Sequence, residues 1–170
     1  VGGSHTAAQQ VVDEIKAAGG EAVANYDSVA TPEGGKAIIQ TALDSFDRVD
    51  IVINNAGILR DAAFKNMDAE KLEPVIDVHL KGAFYVTHAA WQHMRDQNYG
   101  RIVNTSSAAG IFGNFGQTNY GAAKAGVIAF TKTSAREVAR KGITAITVCT
   151  GPTQSPLIDE IVSASSSGDK

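Results

Sequence analysis

The chain has 170 residues and a mass of 17.7 kDa, which is the usual size of a single domain with one hydrophobic core. Its 44% hydrophobic and 19% charged residues are typical of a soluble globular protein and not of a disordered or fibrous one. A net charge of −3 provides no basic surface for nucleic acid or an anionic membrane, and no apolar run reaches membrane-spanning length. We therefore expect neither a nucleic-acid nor a membrane partner.

The cysteine content points to a reducing compartment. Cys149 is the only cysteine, so the chain can form no internal disulfide, and its start shows no signal peptide. We therefore expect a cytoplasmic protein, although Val1 is not an initiator methionine and an upstream targeting segment stays open. No spacing of His, Cys, Asp and Glu resembles a metal site, so no metal is expected.

Helical and strand patterns alternate along the whole chain, which predicts an α/β fold with helices on the faces of a parallel sheet. In the first third of the chain, the pattern predicts a helix over 6–18 ended by Gly19-Gly20, a strand over 21–25, a helix begun by Thr31 and Pro32, and a strand over 50–54. A helical region capped by Asp68 then ends near Gln97, with a break near Gly82. It is followed by a strand over 101–105, a loop over 106–117, a long helix ending near Gly142, and a strand over 143–148.

The strand over 50–54 contains a continuous apolar run, Ile51-Val52-Ile53. Such a run is typical of a parallel strand that is covered on both faces. No internal repeat or shift in composition marks a second domain. We therefore assign residues 1–162 to one domain and 163–170 to a disordered tail.

The strongest chemical signal is Tyr120-Gly-Ala-Ala-Lys124 on the long helix. Residues four apart share one helix face, so Lys124 can act on the Tyr120 phenol. A free phenol has a pKa of about 10 and becomes a useful acid-base catalyst when a nearby cation stabilises its phenolate. The Ser107 hydroxyl, at the end of a strand, could bind a substrate oxygen while Tyr120 moves the proton and a nicotinamide moves the hydride.

A tyrosine and a lysine four positions apart are common by chance, but three further features of the sequence accompany this pair. The run Asn54-Asn55-Ala56-Gly57 follows a strand, Ser107 ends the next one, and Tyr120 follows Ser107 by 13 positions (120 − 107). With these features in this order and spacing, the chain resembles the short-chain dehydrogenase/reductase family. The segments 24–29, 55–61 and 113–117 most resemble the (3R)-hydroxyacyl-CoA dehydrogenase domain of peroxisomal multifunctional enzymes and its bacterial relatives.

The resemblance implies a Rossmann-like, doubly wound sheet and a role for each motif. Ser107 would orient the hydroxyl or keto group, Tyr120 would be the general acid-base, and Lys124 would also hold the nicotinamide ribose. The cofactor would be NAD, with NADP not excluded, and its binding residues would be Asp27, Ser28, Asn54, Asn55, Ala56, Gly57, Tyr120 and Lys124. Two plainer interpretations stay open: Asp27 ends a strand, and Asn54 ties neighbouring strands together.

The sequence departs from the family pattern within the site. His79 stands where many relatives have an asparagine that supports a water in the proton relay, although the multifunctional-enzyme subgroup also has histidine there. His79 is therefore a candidate relay residue. Cys149-Thr150-Gly151-Pro152 replaces the usual Pro-Gly that meets the nicotinamide carboxamide.

By this resemblance, we also expect the first two strands and the last strand of the family to be absent from this sequence. In the family order 3-2-1-4-5-6-7, the predicted strand near Val23 is then separated from the strand near Val52 by two empty places. Three outcomes are open: the Val23 strand closes onto the Val52 strand, an exposed edge drives aggregation, or the missing parts come from elsewhere.

By resemblance, the leading functional hypothesis is hydride transfer on 3-hydroxyacyl-CoA or 3-oxoacyl thioesters. A catalytically inactive remnant or interaction module is the alternative, and a 3-oxoacyl-carrier-protein reductase is a further one. The family also implies a homo-oligomer, paired through the helices that contain Ala89-Ala90 and Ala123. In a eukaryotic multifunctional enzyme the location would be the peroxisome.

Overall fold

The computed structural model describes residues 5–151. Its helices are α1 His5–Ala17, α2 Pro32–Phe46, α3 Ala69–Ile76, α4 Gly82–Gln97, α5 Ala109–Phe112 and α6 Thr118–Val138, and its strands are β1 Ile51–Asn54, β2 Gly100–Ser107 and β3 Ile143–Thr150. No helix in this part of the chain is long and apolar enough to cross a bilayer. The predicted domain limit at 162 and the tail over 163–170 lie outside the described residues.

The three strands form one parallel sheet in the order β1-β2-β3. Val52 lies opposite Ile102, and Ile102 lies opposite Ala145 on the other side. Each crossover between neighbouring strands contains at least one helix, as parallel pairing requires. The predicted α/β class with a parallel sheet is confirmed.

One face of the sheet carries the main core. Val52, Ile102 and Ala145 point to this face and pack with apolar side chains of α2, α4 and α6, among them Ile39, Met94 and Val138. The opposite face is open: Ile51 and Ile53 are 58% and 65% exposed, and Ile146 and Val148 are also exposed. The expectation that β1 is covered on both faces is therefore wrong for the described residues, because α2, α4 and α6 all pack on the same face.

The predicted strand over 21–25 is also wrong, since this segment has no regular secondary structure. A strand needs a neighbour to pair its backbone groups, and within residues 5–151 β1 pairs only with β2. The segment is held by side chains instead: the Asn25 amide donates to Thr41 Oγ1 on α2 and to Asp27 Oδ2, both at 2.8 Å. Closure of the Val23 segment onto β1 does not occur.

The helix boundaries follow local signals in the sequence. Gly19 has a φ of 85° and the Gly20 N–H donates to the Ile15 carbonyl, so α1 ends as predicted. Thr31 caps α2, accepting from the Gly34 N–H at 3.1 Å, and Asp68 caps α3. The predicted break near Gly82 is a π-helical turn over Asp77–Lys81.

Two boundaries in the second half of the chain differ from expectation. Helix α6 ends at Val138, four residues before Gly142, and β2 continues through Ser107 into the predicted loop. Because Ser106 and Ser107 pair with Cys149 and Thr150 of β3, β3 extends the ladder beyond the apolar part of β2. This extension places Ser107 at the end of a strand with a fixed direction.

Gly34→Ala tests the close packing of α2 on the segment before it. A Cβ at Gly34 would lie 1.8 Å from the Ser28 carbonyl oxygen, so the backbone would have to move. We expect a loss of roughly 1–3 kcal/mol in urea unfolding, despite alanine's higher helix propensity. The control is Gly126→Ala on α6, where the new methyl meets only the flexible end of Leu80. Equal effects of the two changes would contradict this prediction.

Candidate active site

The predicted catalytic residues meet at the carboxyl edge of the sheet. Ser107 is the last residue of β2, and Tyr120 and Lys124 lie in the first two turns of α6. The segment 55–57 follows β1 at the same edge. Parallel strands bring their carboxyl ends together, which is where open α/β sheets bind ligands. The fold therefore gathers residues that are up to 69 positions apart in the chain (124 − 55).

Lys124 is fixed at both ends. Lys124 is only 4% exposed. Its Nζ donates to the Thr105 carbonyl at 2.6 Å, and its backbone carbonyl accepts from Ser106 Oγ at 2.9 Å. The Nζ lies 5.5 Å from the centroid of the Tyr120 ring. Burial lowers the pKa of Lys124 to about 8, so the ammonium loses its proton more readily than a solvated lysine.

Three influences act on the Tyr120 phenol, and they do not all have the same sign. Burial raises its pKa, a side-chain hydrogen bond with Ser107 lowers it, and the negative charge of Asp61 raises it. The pKa of Tyr120 lies above its ordinary value, which is opposite to the effect expected from Lys124 alone. Burial of the phenol is the largest cause of this rise, while the Lys124 ammonium donates to the Thr105 carbonyl and lies over the ring. At neutral pH Tyr120 is therefore a proton donor.

His79 lies beneath Tyr120, with the two rings edge to face and their centroids 5.1 Å apart. Its Nε2 is 2.8 Å from the carbonyl oxygen and 3.0 Å from the backbone nitrogen of Ile58, and Nδ1 has no hydrogen-bond partner among the described residues. Burial lowers the pKa of His79 to about 4, with Lys124 adding to the effect. The imidazole is therefore neutral at physiological pH.

Gly57 is required for this placement of His79. A Cβ at Gly57 would lie 2.5 Å from His79 Cε1. The glycine of the Asn-Asn-Ala-Gly run thus allows the loop after β1 to pass over the imidazole. Within this structure His79 supports that loop through Ile58, and its role in a proton relay stays a prediction.

The Asn54 side chain makes hydrogen bonds within the fold. Its amide donates to Thr87 Oγ1 at 2.9 Å and to Asn104 Oδ1 at 2.7 Å, which ties β1 to α4 and β2. Both amide hydrogens are used in this way, as the plainer interpretation of Asn54 predicts. Asn55, Ala56 and Gly57 are exposed, and their backbone is open to a ligand.

Asp27 and Ser28 lie on the exposed segment before α2, and their side chains hydrogen-bond to residues two positions away. The Asp27 carboxylate accepts from Asn25, and Ser28 Oγ accepts from the Ala30 N–H. The following residue, Val29, lines a cavity of about 100 Å³ together with Asn54, Asn55, Ala56, His79 and Lys124. The segment that contains Asp27 and Ser28 thus reaches the same edge of the sheet as the catalytic residues.

Sequence reasoning missed two residues at the site, Asp61 and Asn119. Asp61 accepts from Gln117 Nε2 at 2.8 Å and raises the pKa of Tyr120. Asn119 is completely buried beside Tyr120. Neither belongs to a recognisable spacing, and only the position of Asn119 next to Tyr120 could have drawn attention to it.

The acid stability of the chain should depend on His79. Above about pH 6.5 the imidazole is neutral in both states and contributes no pH dependence. As pH falls towards 4 the unfolded chain takes up a proton that the folded chain, with its lowered His79 pKa, does not, so stability falls by roughly 3 kcal/mol. Urea unfolding at about pH 7 and pH 4 measures this loss. His79→Gln removes the titration, and an equal loss in that variant would contradict the prediction.

Comparison with known proteins identifies the family of the chain. A family model described as short chain dehydrogenase matches residues 1–166. The chain is 58% identical over 136 residues to the peroxisomal hydratase-dehydrogenase-epimerase of Neurospora crassa, covering 80% of this chain and 15% of that protein. It is 49% identical over 148 residues to a 3-oxoacyl-[acyl-carrier-protein] reductase of Synechocystis, covering 87% of this chain and 60% of that protein.

Among solved structures, NAD⁺-bound xylitol dehydrogenase superposes with a TM-score of 0.88 at 28% identity, covering 94% of this chain and 62% of that one. The chain thus spans less than two thirds of each of these three proteins. The shared Rossmann-type fold confirms the expected architecture, and the match of the family model over 1–166 shows that the chain belongs to the short-chain dehydrogenase family of oxidoreductases.

Proposed function

We propose that this chain performs NAD-dependent hydride transfer at a hydroxyl or keto group, with Tyr120 as the general acid-base. The observation that supports this most is the meeting of Ser107, Tyr120 and Lys124 at one edge of the sheet. The Ser107 hydroxyl lowers the pKa of the Tyr120 phenol, and Lys124 Nζ lies over the Tyr120 ring, 5.5 Å from its centroid. A substrate oxygen placed between the two hydroxyls would be oriented by one and would exchange a proton with the other.

The protonation state of Tyr120 suits the reduction of a keto group. Because the pKa of Tyr120 is raised, its phenol holds a proton at neutral pH and can give it to the oxygen of the forming alcohol. Lys124, whose pKa is lowered to about 8, is mostly charged at neutral pH, and its Nζ, 5.5 Å from the ring centroid, would attract the negative charge of the phenolate that is left. Oxidation of the alcohol needs deprotonated Tyr120 to take up the proton of the alcohol. The rate of oxidation is therefore expected to increase as pH rises.

The residues present fit a nicotinamide cofactor. The cofactor, when bound, supplies or takes up the hydride. The backbone at 55–57 is exposed at the edge of the sheet. The Lys124 ammonium donates to the Thr105 carbonyl, which leaves further donors for the ribose. Asp27 and Ser28 would meet the adenine from the neighbouring segment. The cofactor-bound xylitol dehydrogenase among the structural relatives favours NAD.

The substrate we propose is a 3-hydroxyacyl or 3-oxoacyl thioester of coenzyme A. The 58% identity to a peroxisomal hydratase-dehydrogenase-epimerase supports this choice. A carrier-protein thioester is the second candidate, because a 3-oxoacyl-[acyl-carrier-protein] reductase is 49% identical over 148 residues. In a eukaryotic multifunctional enzyme the location would be the peroxisome.

A homo-oligomer built on α4 and α6 is part of the proposal. Phe84 on α4 is 50% exposed, and its ring stacks on His88 and packs against Phe130 of α6. An aromatic cluster that spans two exposed helices is suited to close contact with a second copy.

Tyr120→Phe tests the proposed function directly. The change removes the proton that is transferred and leaves the ring, so turnover of a 3-oxoacyl thioester should fall by about 10²–10⁴-fold with little change in stability. Tyr99→Phe is the control, because Tyr99 precedes β2 at the end opposite Ser107. Turnover is followed by the absorbance of the reduced nicotinamide. Full activity of Tyr120→Phe would contradict the mechanism, and a folded wild-type chain with neither NADH binding nor turnover would favour the inactive alternative.

The two thioester candidates are distinguished by measuring turnover of each. Given equal acyl chains, we expect a higher kcat/KM for the coenzyme A thioester than for the carrier-protein thioester. The reverse preference would assign the chain to the second candidate.

A further inference from the structure

Asn119, the residue directly before Tyr120, has a completely buried side chain with three hydrogen bonds. Its Nδ2 donates to the carbonyl oxygens of Arg60 and Lys71, both at 2.9 Å. Its Oδ1 accepts from the Tyr120 N–H at 2.7 Å. The two hydrogens of a primary amide match two carbonyl acceptors, so the chemistry of the partners fixes the orientation of the amide.

The three partners belong to three separate segments. Arg60 lies in the loop after β1, Lys71 lies in the first turn of α3, and Tyr120 lies in the first turn of α6. One side chain therefore holds two other segments to the start of the catalytic helix. The N–H groups of a first helical turn have no partner within the helix, and Asn119 supplies one to Tyr120.

The position of the Tyr120 phenol depends on how this helix end is held. One turn further on, Ser106 anchors the helix through the Lys124 carbonyl at 2.9 Å. Before Tyr120, the Gly116 carbonyl accepts from the Ala62 N–H in the loop after β1. Asn119 is the only side chain among the described residues that hydrogen-bonds both to this loop and to the Tyr120 backbone.

We propose that Asn119 is a positioning residue that sets the place of the Tyr120 phenol relative to Ser107. This inference rests on the proposed function of Tyr120. Loss of the amide would leave the Arg60 and Lys71 carbonyls and the Tyr120 N–H without these partners in a part-buried place, and α6 would shift or fray at its first turn. The phenol would move away from Ser107 and become more exposed to water.

The test compares Asn119→Ala with Val138→Ala. Val138 is also completely buried on α6, and it lies 18 residues from Tyr120 (138 − 120), about 27 Å along the helix. Both changes should lower stability. Two further quantities are measured for each variant: kcat and KM for the thioester and NADH, and the pKa of Tyr120 by NMR of chains labelled with ¹³C-tyrosine, with Tyr120→Phe to assign the signal.

We expect Asn119→Ala to lower kcat by about 10- to 100-fold while both KM values change by less than about threefold. We also expect the pKa of Tyr120 to fall towards its ordinary value, because burial is the largest cause of its rise and outweighs the lowering by Ser107 that would be lost with it. Val138→Ala should change neither quantity. If Asn119→Ala changes kcat and the pKa of Tyr120 no more than Val138→Ala does, the inference is wrong.

The pKa of Tyr120 requires no turnover, so this test can succeed or fail separately from the proposed function. Should Asn119→Ala not fold, Asn119→Ser, which keeps one hydroxyl, is judged by the same two measurements. The wild-type chain provides a third measurement, the hydrogen exchange of the Tyr120 amide. Protection of at least about tenfold is expected for this first-turn amide, and exchange as fast as in a free peptide would overturn the inference.

Discussion

Two hydrogen bonds attach helix α6 to the carboxyl end of β2, and the site depends on this attachment. On the strand they involve the adjacent residues Thr105 and Ser106, and on the helix they involve Lys124. The Ser106 hydroxyl holds the backbone of Lys124, and the Lys124 ammonium holds the carbonyl of Thr105. Together the two bonds fix the register between a strand and a helix that run in different directions. Ser107 extends from that strand and Tyr120 from that helix, so their meeting follows from the register.

A second set of buried polar groups secures the sheet beneath the site. Asn54 links β1 to Asn104 of β2 and to Thr87 of α4, and Asn104 donates in turn to Thr131 of α6. Buried polar groups are stabilising when every member finds a partner, and they then specify a single arrangement of the elements around them. The same strand end provides a structural asparagine and, one residue later, exposed backbone for a ligand.

Burial also sets the chemistry of the three titratable groups at the site. The neutral form is favoured in each, which lowers the pKa of His79 and Lys124 and raises that of Tyr120. The pKa values of Lys124 and Tyr120 thereby move apart, since that of Lys124 falls from 10.5 to about 8 and that of Tyr120 rises from 10.0. At neutral pH the Tyr120 phenol therefore holds its proton, while Lys124 loses its proton more readily than a lysine in water does.

The amino-acid sequence by itself determined the fold class, the end of α1, the N-caps of α2 and α3, and the identity of the candidate catalytic motif. These features rest on local chemistry: Thr31 and Asp68 cap helices through their own side chains, and a spacing of four places Tyr120 and Lys124 on one helix face. The tertiary structure decided whatever needed a distant partner. Residues 21–25 form no strand because no neighbour pairs with them, and Ile51 and Ile53 are exposed because the packed helices cover the other face. The raised pKa of Tyr120 and the burial of Asn119 likewise arise only when separate segments meet.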